Sequence, residues 1–443
     1  MRLLKGDKSI WVITIILLVY SFIGVYSSSS TIAFQSFGGN NLTVILRHLL
    51  QVILGLGILI IVSHFRVKLF KNTAILFYLL AVALIIVAQF QGKTMNAANA
   101  NRWIPIFGLT FQPSEMAKVA IIVLLARNIV KYPKKIPDFK SSFRYTTLPL
   151  AFLCLCTILS GFSTTLFIFI TSCIVLFVGN YSFKSFLKLS GSALLIFALL
   201  FATIKIFPDI TNRFDTWESR IDTFFSSDES GGLEKSKEEI RQEKAKKYQV
   251  EHSKMALLSP GFWGVGPGKS MQKYFLPQSN SDFIYAIIVE EYGLLIGALG
   301  PIFLYLILLI RCFIISLKTP SDFGRLLIIG LSLSIVFQAF INMGVATTLL
   351  PTTGQTLPLI SAGGSSIWMT CLALGIIQAV AQQNIDQIKA KEEAYRTQAE
   401  THYEQAQRSA QKEGITLIKE DYIRNEIKKL KALEAEKEQI SSK

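Results

Sequence analysis

Apolar runs of about 20 residues, the length that crosses a bilayer core, recur along this 443-residue chain with short polar connections between them. Ten stand out, at residues 11–28, 44–64, 73–90, 113–130, 145–160, 163–179, 187–207, 284–316, 323–345 and 364–384. They predict an all-α polytopic membrane protein with ten transmembrane helices. The run 284–316 is too long for one straight span, which predicts a short helix at the outer interface at its start. Two regions break the rhythm. The loop 208–281, between spans 7 and 8, carries at 226–247 a Ser/Gly/Glu/Lys insert too poor in apolar residues to order itself. After residue 384, Ile388 to Gln411 is rich in Ala, Glu, Lys and Gln, and Gly414 interrupts. Beyond it Ile415, Ile418, Tyr422, Ile423, Ile427, Leu430 and Leu433 return at helical spacing. That predicts two tail helices, the second amphipathic. The chain thus divides into a ten-helix domain at 1–384 and a helical tail at 385–443.

Charge adds orientation. Basic residues gather before span 1 (Arg2, Lys5, Lys8), after span 2 (Arg66, Lys68, Lys71), between spans 4 and 5 (Arg127 to Arg144), after span 6 (Lys184, Lys188) and between spans 8 and 9 (Arg311, Lys318, Arg325). The intervening loops hold chiefly Lys93 and Arg102. The positive-inside rule then places both termini in the cytoplasm and the 208–281 loop outside. The net charge of +15 does not point to nucleic acid. Loop 208–281 has 11 basic and 11 acidic residues and the tail 12 of each, so the excess is topology charge in the membrane body. The five cysteines all lie in apolar spans without zinc-ligand companions and read as small core residues.

Four segments carry candidate chemistry. In the first, Arg102 and Trp103 precede Gln112-Pro113-Ser114-Glu115 and Lys118. Pro113 suits the first turn of span 4, and Glu115 and Lys118, three apart, can pair on one helix face. In the second, Gly264 to Ser270, Gly268-Lys269-Ser270 ends like a phosphate loop, but Trp263 stands where that motif needs glycine. What remains is a glycine turn with open N–H groups and a lysine, suited to an anion. The third holds Asp282 at the mouth of an apolar run and Glu290 and Glu291 within it; a carboxylate there is costly and reads as functional, with helix capping as the bland alternative for Asp282. Bonds to neighbouring helices are the expectation for both glutamates. The fourth, Asn342-Met-Gly344 and then Leu350 to Ser366, is rich in Pro, Gly, Thr and Ser without a charge. Such backbone cannot face lipid and must line a cavity or a protein surface.

Together, Arg-Trp-Ile with Gln-Pro-Ser-Glu, the Gln272-Lys273-Tyr-Phe-Leu-Pro run with Ser-Asp-Phe-Ile and Glu-Glu-x-Gly, and Leu-Pro-Thr-Thr-Gly with Gly-Gly-Ser-Ser resemble the SEDS family over about residues 8–384. The resemblance is greater to its division-associated branch than to the elongation branch. It implies a glycosyltransferase of the bacterial inner membrane, at the septum, that polymerises lipid II with a class B penicillin-binding protein and other division proteins as partners. Carried over by motif, Asp282 matches the essential carboxylate. Arg102, Trp103, Gln112, Ser114, Glu115 and Lys118 match the first substrate motif, and Ser361, Gly363, Gly364 and Ser365 fall in the last. Two departures stand out. Ser160-Gly-Phe-Ser-Thr-Thr165 lacks the family's acidic residue at span 5, and Ala362 replaces a tyrosine.

The implied step joins an α-linked diphosphate donor, undecaprenyl-diphosphate-linked glycan, to a second lipid II through a β-1,4 bond, so it inverts. Inversion needs a base on the acceptor hydroxyl, and Asp282 is the expected base. The leaving diphosphate needs its charge offset by Arg102, Arg220, Lys269 or Lys273, or by a divalent cation, Mg or Mn. A lipid II flippase and a non-catalytic division scaffold are the competing expectations.

Overall fold

A computed structural model of the chain describes residues 4–36, 41–92, 102–106, 109–158, 161–206, 248, 251–258, 261–276, 280–412 and 418–441. Its helices are α1 (Lys8–Ser36), α2 (Asn41–Ser63), α3 (Val67–Gly92), α4 (Pro113–Lys131), α5 (Thr147–Ile158), α6 (Phe162–Val178) and α7 (Phe183–Ile206). There follow α8 (Ile284–Tyr292), α9 (Gly300–Leu317), α10 (Asp322–Ala346), α11 (Gly364–Lys412) and α12 (Lys419–Ser441). Among the described residues, six helical stretches are long and apolar enough to cross a membrane: in α1, α2 and α3, from α8 through α9, in α10 and in α11. α5 and α6 are apolar but shorter. The protein is a helical membrane protein, and it divides into two compact units, Met1–Val380 and Ala381–Lys443. The insert 226–247 and most of the 208–281 loop lie outside the described residues.

Sequence spacing sets the faces of the first unit. On α2, Val44, His48, Val52, Gly55, Leu59 and Val62 are buried, a three-and-four repeat that makes one stripe. Leu42, Leu46, Leu50, Ile53, Leu54 and Ile61 are exposed on the same helix, so its outer face is as apolar as its inner one. That is the signature of a helix set in lipid. α4 behaves oppositely: every residue except Arg127, Val130 and Lys131 is buried. It packs against α3, α5, α6 and α10 and forms the centre of the unit.

The overlong apolar run 284–316 is broken, as its length requires. α8 ends where Gly293 adopts φ +72°, and Gly293–Leu299 forms a π-helix before α9 starts. Ile284 to Glu291 are all buried, so α8 is enclosed by protein. A second difference is a small antiparallel ladder, β1 (Ile104–Ile106) with β2 (Leu109–Phe111), in the register Ile104 to Phe111. Three alternating residues on each side of Phe107-Gly108 are too few to register as strands in a pattern of helices. The ladder places Arg102 and Trp103 before it and Gln112 after it, at the head of α4.

Far along the chain from that ladder, the N-terminal segment is sewn to two helices. Asp7 accepts from Arg311 Nε at 3.1 Å and Nη2 at 2.6 Å. Its backbone N–H donates to Gln378 Oε1 at 2.7 Å, and Gln378 Nε2 donates to its carbonyl at 3.0 Å. Its carboxylate also caps α1 through Ser9 N at 2.9 Å. Burial raises the Asp7 pKa, but the Arg311 guanidinium outweighs it and holds the carboxyl below its ordinary value. Arg311 therefore has a structural partner beyond its part in the charge bias.

The second unit is a helical pair. Tyr403 meets Tyr422 edge-on with centroids 5.7 Å apart, and His402 Nδ1 donates to Glu426 Oε1 at 2.9 Å. That hydrogen bond, against a smaller opposing burial effect, lowers the Glu426 pKa below its ordinary 4.5. A depressed carboxyl pKa contributes stability above the unfolded value and loses it as pH falls through the folded one. The hydrogen-exchange protection factors of the α12 amides in the full-length protein should therefore fall once the pH drops below 4.5. Protection that stays constant across that range would mean the pair does not hold the two helices together.

Candidate functional site

Between α10 and α11 the backbone is irregular. Thr348 and Leu359, neither a glycine, take φ +59° and +64°, and Gly354 takes +68°. Buried peptide groups without a helix must find partners one at a time, and here they do. Leu357 N donates to Ser361 Oγ at 2.8 Å, and Ser361 Oγ donates to the Ser281 carbonyl at 2.6 Å. Ala362 N donates to the Asn280 carbonyl at 2.9 Å. Either side of the left-handed Leu359 a carbonyl is pinned: Pro358 by the Tyr305 hydroxyl of α9, and Ile360 by Ser21 Oγ of α1 at 2.8 Å. Because the single hydroxyl hydrogen of Ser21 goes to Ile360, His48 Nε2 at 3.0 Å must be the donor to Ser21. This strained backbone is over-determined from three helices, the condition under which such conformations persist.

Beside the loop lies a buried cation. Lys118 Nζ is 2.7 Å from Glu115 Oε1, with the two side chains 4% and 7% exposed. It also donates to Gln338 Oε1 at 2.7 Å and Gln355 Oε1 at 3.3 Å, and stands 5.0 Å over the Phe167 ring. The amides continue outward. Gln338 Nε2 donates to the Thr356 carbonyl at 3.0 Å, and Gln355 Nε2 to Thr164 Oγ1 at 3.0 Å. Lys118 thus ties α4, α6, α10 and the loop together.

Asp282 stands at the edge of this assembly, half-buried. The residue capping α8 is Phe283, so Asp282 stands one residue before the cap. Ser281 Oγ donates to its Oδ1 at 3.2 Å. Its Oδ2 lies 3.8 Å from where a Cβ on Gly354 would sit, which puts the carboxylate against the loop. Nearby, Thr353 Oγ1 and Ser365 Oγ are buried and lack a hydrogen-bond partner among the described residues. Orphaned polar atoms gathered around one loop are what a polyhydroxylated ligand or bound water would complete.

Of the other motif residues, Arg102 packs its guanidinium against Gly161, 3.4 Å from a Cβ built there, beside the Ser160 to Thr165 segment. Trp103 is half-buried, Ser114 is buried, and Gln112 occupies the cap of α4 without a side-chain bond. Gly363 N donates to the Ser361 carbonyl at 2.8 Å. A side chain on Gly364 would meet Gln51 Nε2 at 2.6 Å. Arg220 lies outside the described residues.

The glycine turn does something other than expected. Val265 N and Gly266 N donate to the Glu290 and Glu291 carbonyls at 2.9 and 3.0 Å. Ser270 N donates to the Glu291 carboxylate at 3.3 Å, and Met271 N to that of Glu290 at 3.0 Å. Its N–H groups grip the end of α8 and are not open to an anion. The two glutamates are structural acceptors, Glu291 also receiving Ser27 Oγ. Lys273 is buried with Nζ on the Gly268 carbonyl at 2.7 Å, whereas Lys269 is exposed. A cleft of about 320 Å³ includes Glu291, His48 and Gly268 in its walls but neither Asp282 nor Lys118.

Residues 7–386 match the family described as cell cycle protein, which groups FtsW, RodA and SpoVE. That is the SEDS family, and the chain belongs to it. Among its relatives, the probable peptidoglycan glycosyltransferase FtsW of Bacillus subtilis is 31% identical over 86% of this chain and 92% of its own. The protein of the same name from Aromatoleum aromaticum is 33% identical over 84% and 86%. The fold resembles a chain of a peptidoglycan synthase complex with coordinated polymerization and crosslinking, at TM-score 0.64 and 21% identity over 86% of this chain and 98% of that one. It also resembles Thermus thermophilus RodA, at TM-score 0.58 and 20% identity over 86% and 97%.

In this SEDS protein, Gln338, Gln355, Thr164, Tyr305 and the Ser21–His48 pair join the site without having been singled out in the sequence. A glutamine inside an apolar span was the available signal for Gln338. The buried cation yields a stability prediction. Lys118→Met leaves Glu115 buried and uncompensated and should cost about 3–5 kcal/mol, with much of that recovered in Glu115→Leu/Lys118→Met. Thermal melts of the three proteins check it. A double variant no more stable than Lys118→Met would remove the pair as the cause.

Proposed function

We propose that this protein polymerises lipid II into glycan strands with inversion at the anomeric carbon, and that Asp282 is the general base. The observation that carries the reading is the Asp282 carboxylate, held against an immobilised loop with orphaned polar atoms beside it. The fold and the names of its relatives support the same chemistry.

The step follows from that geometry. Asp282 takes the proton from the 4-hydroxyl of the acceptor GlcNAc as its oxygen attacks C1 of the donor MurNAc. The C1–O bond breaks on the opposite face, and the electron pair leaves with undecaprenyl diphosphate. Diphosphate needs no proton to depart. Its charge is offset by cationic side chains, among them Arg102, whose guanidinium packs against Gly161 beside Thr164, the hydroxyl that Gln355 of the loop holds. The diphosphate role offered to Lys273 does not suit its buried bond to Gly268, while exposed Lys269 keeps it. Arg220 and the loop 208–281 belong to the same proposal. No group of three His, Cys, Asp or Glu gathers as a metal cage among the described residues. Magnesium binds substrate phosphates with few protein carboxylates, and Asp282 is committed to the acceptor face, so Mg or Mn would be held chiefly by the diphosphate and would neutralise the leaving group.

The wider setting is part of the proposal. All ten helical segments cross the bacterial inner membrane, with both termini in the cytoplasm and the site facing outward. The tail 385–443 is a separate cytoplasmic domain. The partner is a class B penicillin-binding protein at the division septum, which cross-links the strands as they emerge.

The test is polymerisation of lipid II by the purified protein with its transpeptidase. Wild type should make strands, and Asp282→Ala, folded and partner-bound, should make none. Equal product from both would remove Asp282 as the base. Lipid II binding without product from wild type, with the correct partner shown to be bound, would favour the flippase or scaffold.

A further inference from the structure

The turn that carries Asp282 is clamped at three consecutive carbonyls. Ala362 N holds that of Asn280 at 2.9 Å, and Ser361 Oγ that of Ser281 at 2.6 Å. The third, the carbonyl of Asp282 itself, accepts from Asn342 Nδ2 at 3.1 Å. The first two clamps come from the loop, but the third comes from α10, the helix that also offers Gln338 one turn earlier. Asn342 is 0% exposed, and the second hydrogen of its Nδ2 goes to the Gln355 carbonyl at 2.7 Å. One amide therefore uses both its donors to fix two backbones relative to each other: the turn bearing the carboxylate and the loop whose Gln355 reaches Lys118.

We propose that Asn342 is a positioning residue for Asp282. The inference rests on the reading of Asp282 as the base. The Asp282 side chain starts from a turn and not from within a helix, so the Asn342 bond to its own carbonyl bears directly on where the carboxylate stands. A shift of about 1 Å at a reacting group costs on the order of 10²-fold in rate. The rest of the Asn342 side chain makes no comparable demand. Its Oδ1 has no hydrogen-bond partner among the described residues, so an apolar side chain of similar shape loses the two donors and little else.

The experiment compares full-length wild type, Asn342→Leu, Asn342→Asp and Asp282→Ala, each with the transpeptidase partner, in steady-state lipid II polymerisation. Asn342→Leu should lose about 10²-fold in kcat with KM within about twofold, the pattern of an interaction that matters in the transition state and not in substrate binding. Asn342→Asp recovers a donor only when its carboxyl is protonated. Its rate relative to wild type should therefore rise as the pH is lowered, a response that a purely structural asparagine would not produce. If Asn342→Leu fails to fold, the pH dependence of Asn342→Asp decides alone. Wild-type kcat in Asn342→Leu, a loss confined to KM, or a flat relative rate in Asn342→Asp overturns the positioning role. Full activity in Asp282→Ala overturns the parent reading and this one together, whereas an inactive Asp282→Ala beside a fully active Asn342→Leu overturns this one alone.

Discussion

Irregular backbone buried inside a membrane protein has no water to turn to, and each of its N–H and C=O groups left unpaired costs several kcal/mol. The stretch between α10 and α11 meets that demand with side chains and turns drawn from α1, α9, α10 and the residues before α8. The elements around it are thereby fixed as well. Tyr305 and Ser21 grip the loop on either side of Leu359, Gln338 and Asn342 grip it from α10, and the loop in turn grips the Asp282 turn. The candidate site is rigid because the backbone beside it could not be buried otherwise.

Charge is handled by two different solutions within the same unit. Lys118 is surrounded by one carboxylate, two amide oxygens and an aromatic face, so its charge is spread over four neighbours. Glu290 and Glu291 receive backbone N–H groups from the glycine turn. That turn reaches them because neither Gly264 nor Gly293 has a side chain: a Cβ on Gly264 would lie 2.2 Å from the Glu291 carbonyl oxygen. The two carboxylates within the apolar run are structural by this arrangement. Asp282, at its mouth, stands against the loop instead.

The sequence alone made some of this legible. The i, i+3 spacing gives the Glu115–Lys118 contact, Pro113 marks the head of α4, and the excess length of 284–316 announces its break. The Pro/Gly/Thr/Ser run had to be protein-lined for want of backbone partners. What stayed hidden depends on distant chain meeting: Gln355 on Thr164, Tyr305 on Pro358, Asp7 on Arg311. Those pairs join residues far apart in the chain, with no periodicity to link them. The glycine turn misled for a related reason. Free N–H groups can be counted along a sequence, but the Glu290 and Glu291 acceptors that occupy them come from the helix beginning a dozen residues later.

Chain order gives the Glu115–Lys118 pair another meaning. Synthesis completes α4 when Gln338 is still 220 residues from being made and Gln355 is 237 away. During that interval neither amide exists to share the lysine's charge, while Glu115 is already present on the same helix. A neutralised pair can enter hydrocarbon where a bare ammonium would resist, and the later amides then find a cation already in place. The contact between adjacent turns is thus the part of the network that can form first, and the long-range bonds that complete the site are necessarily last.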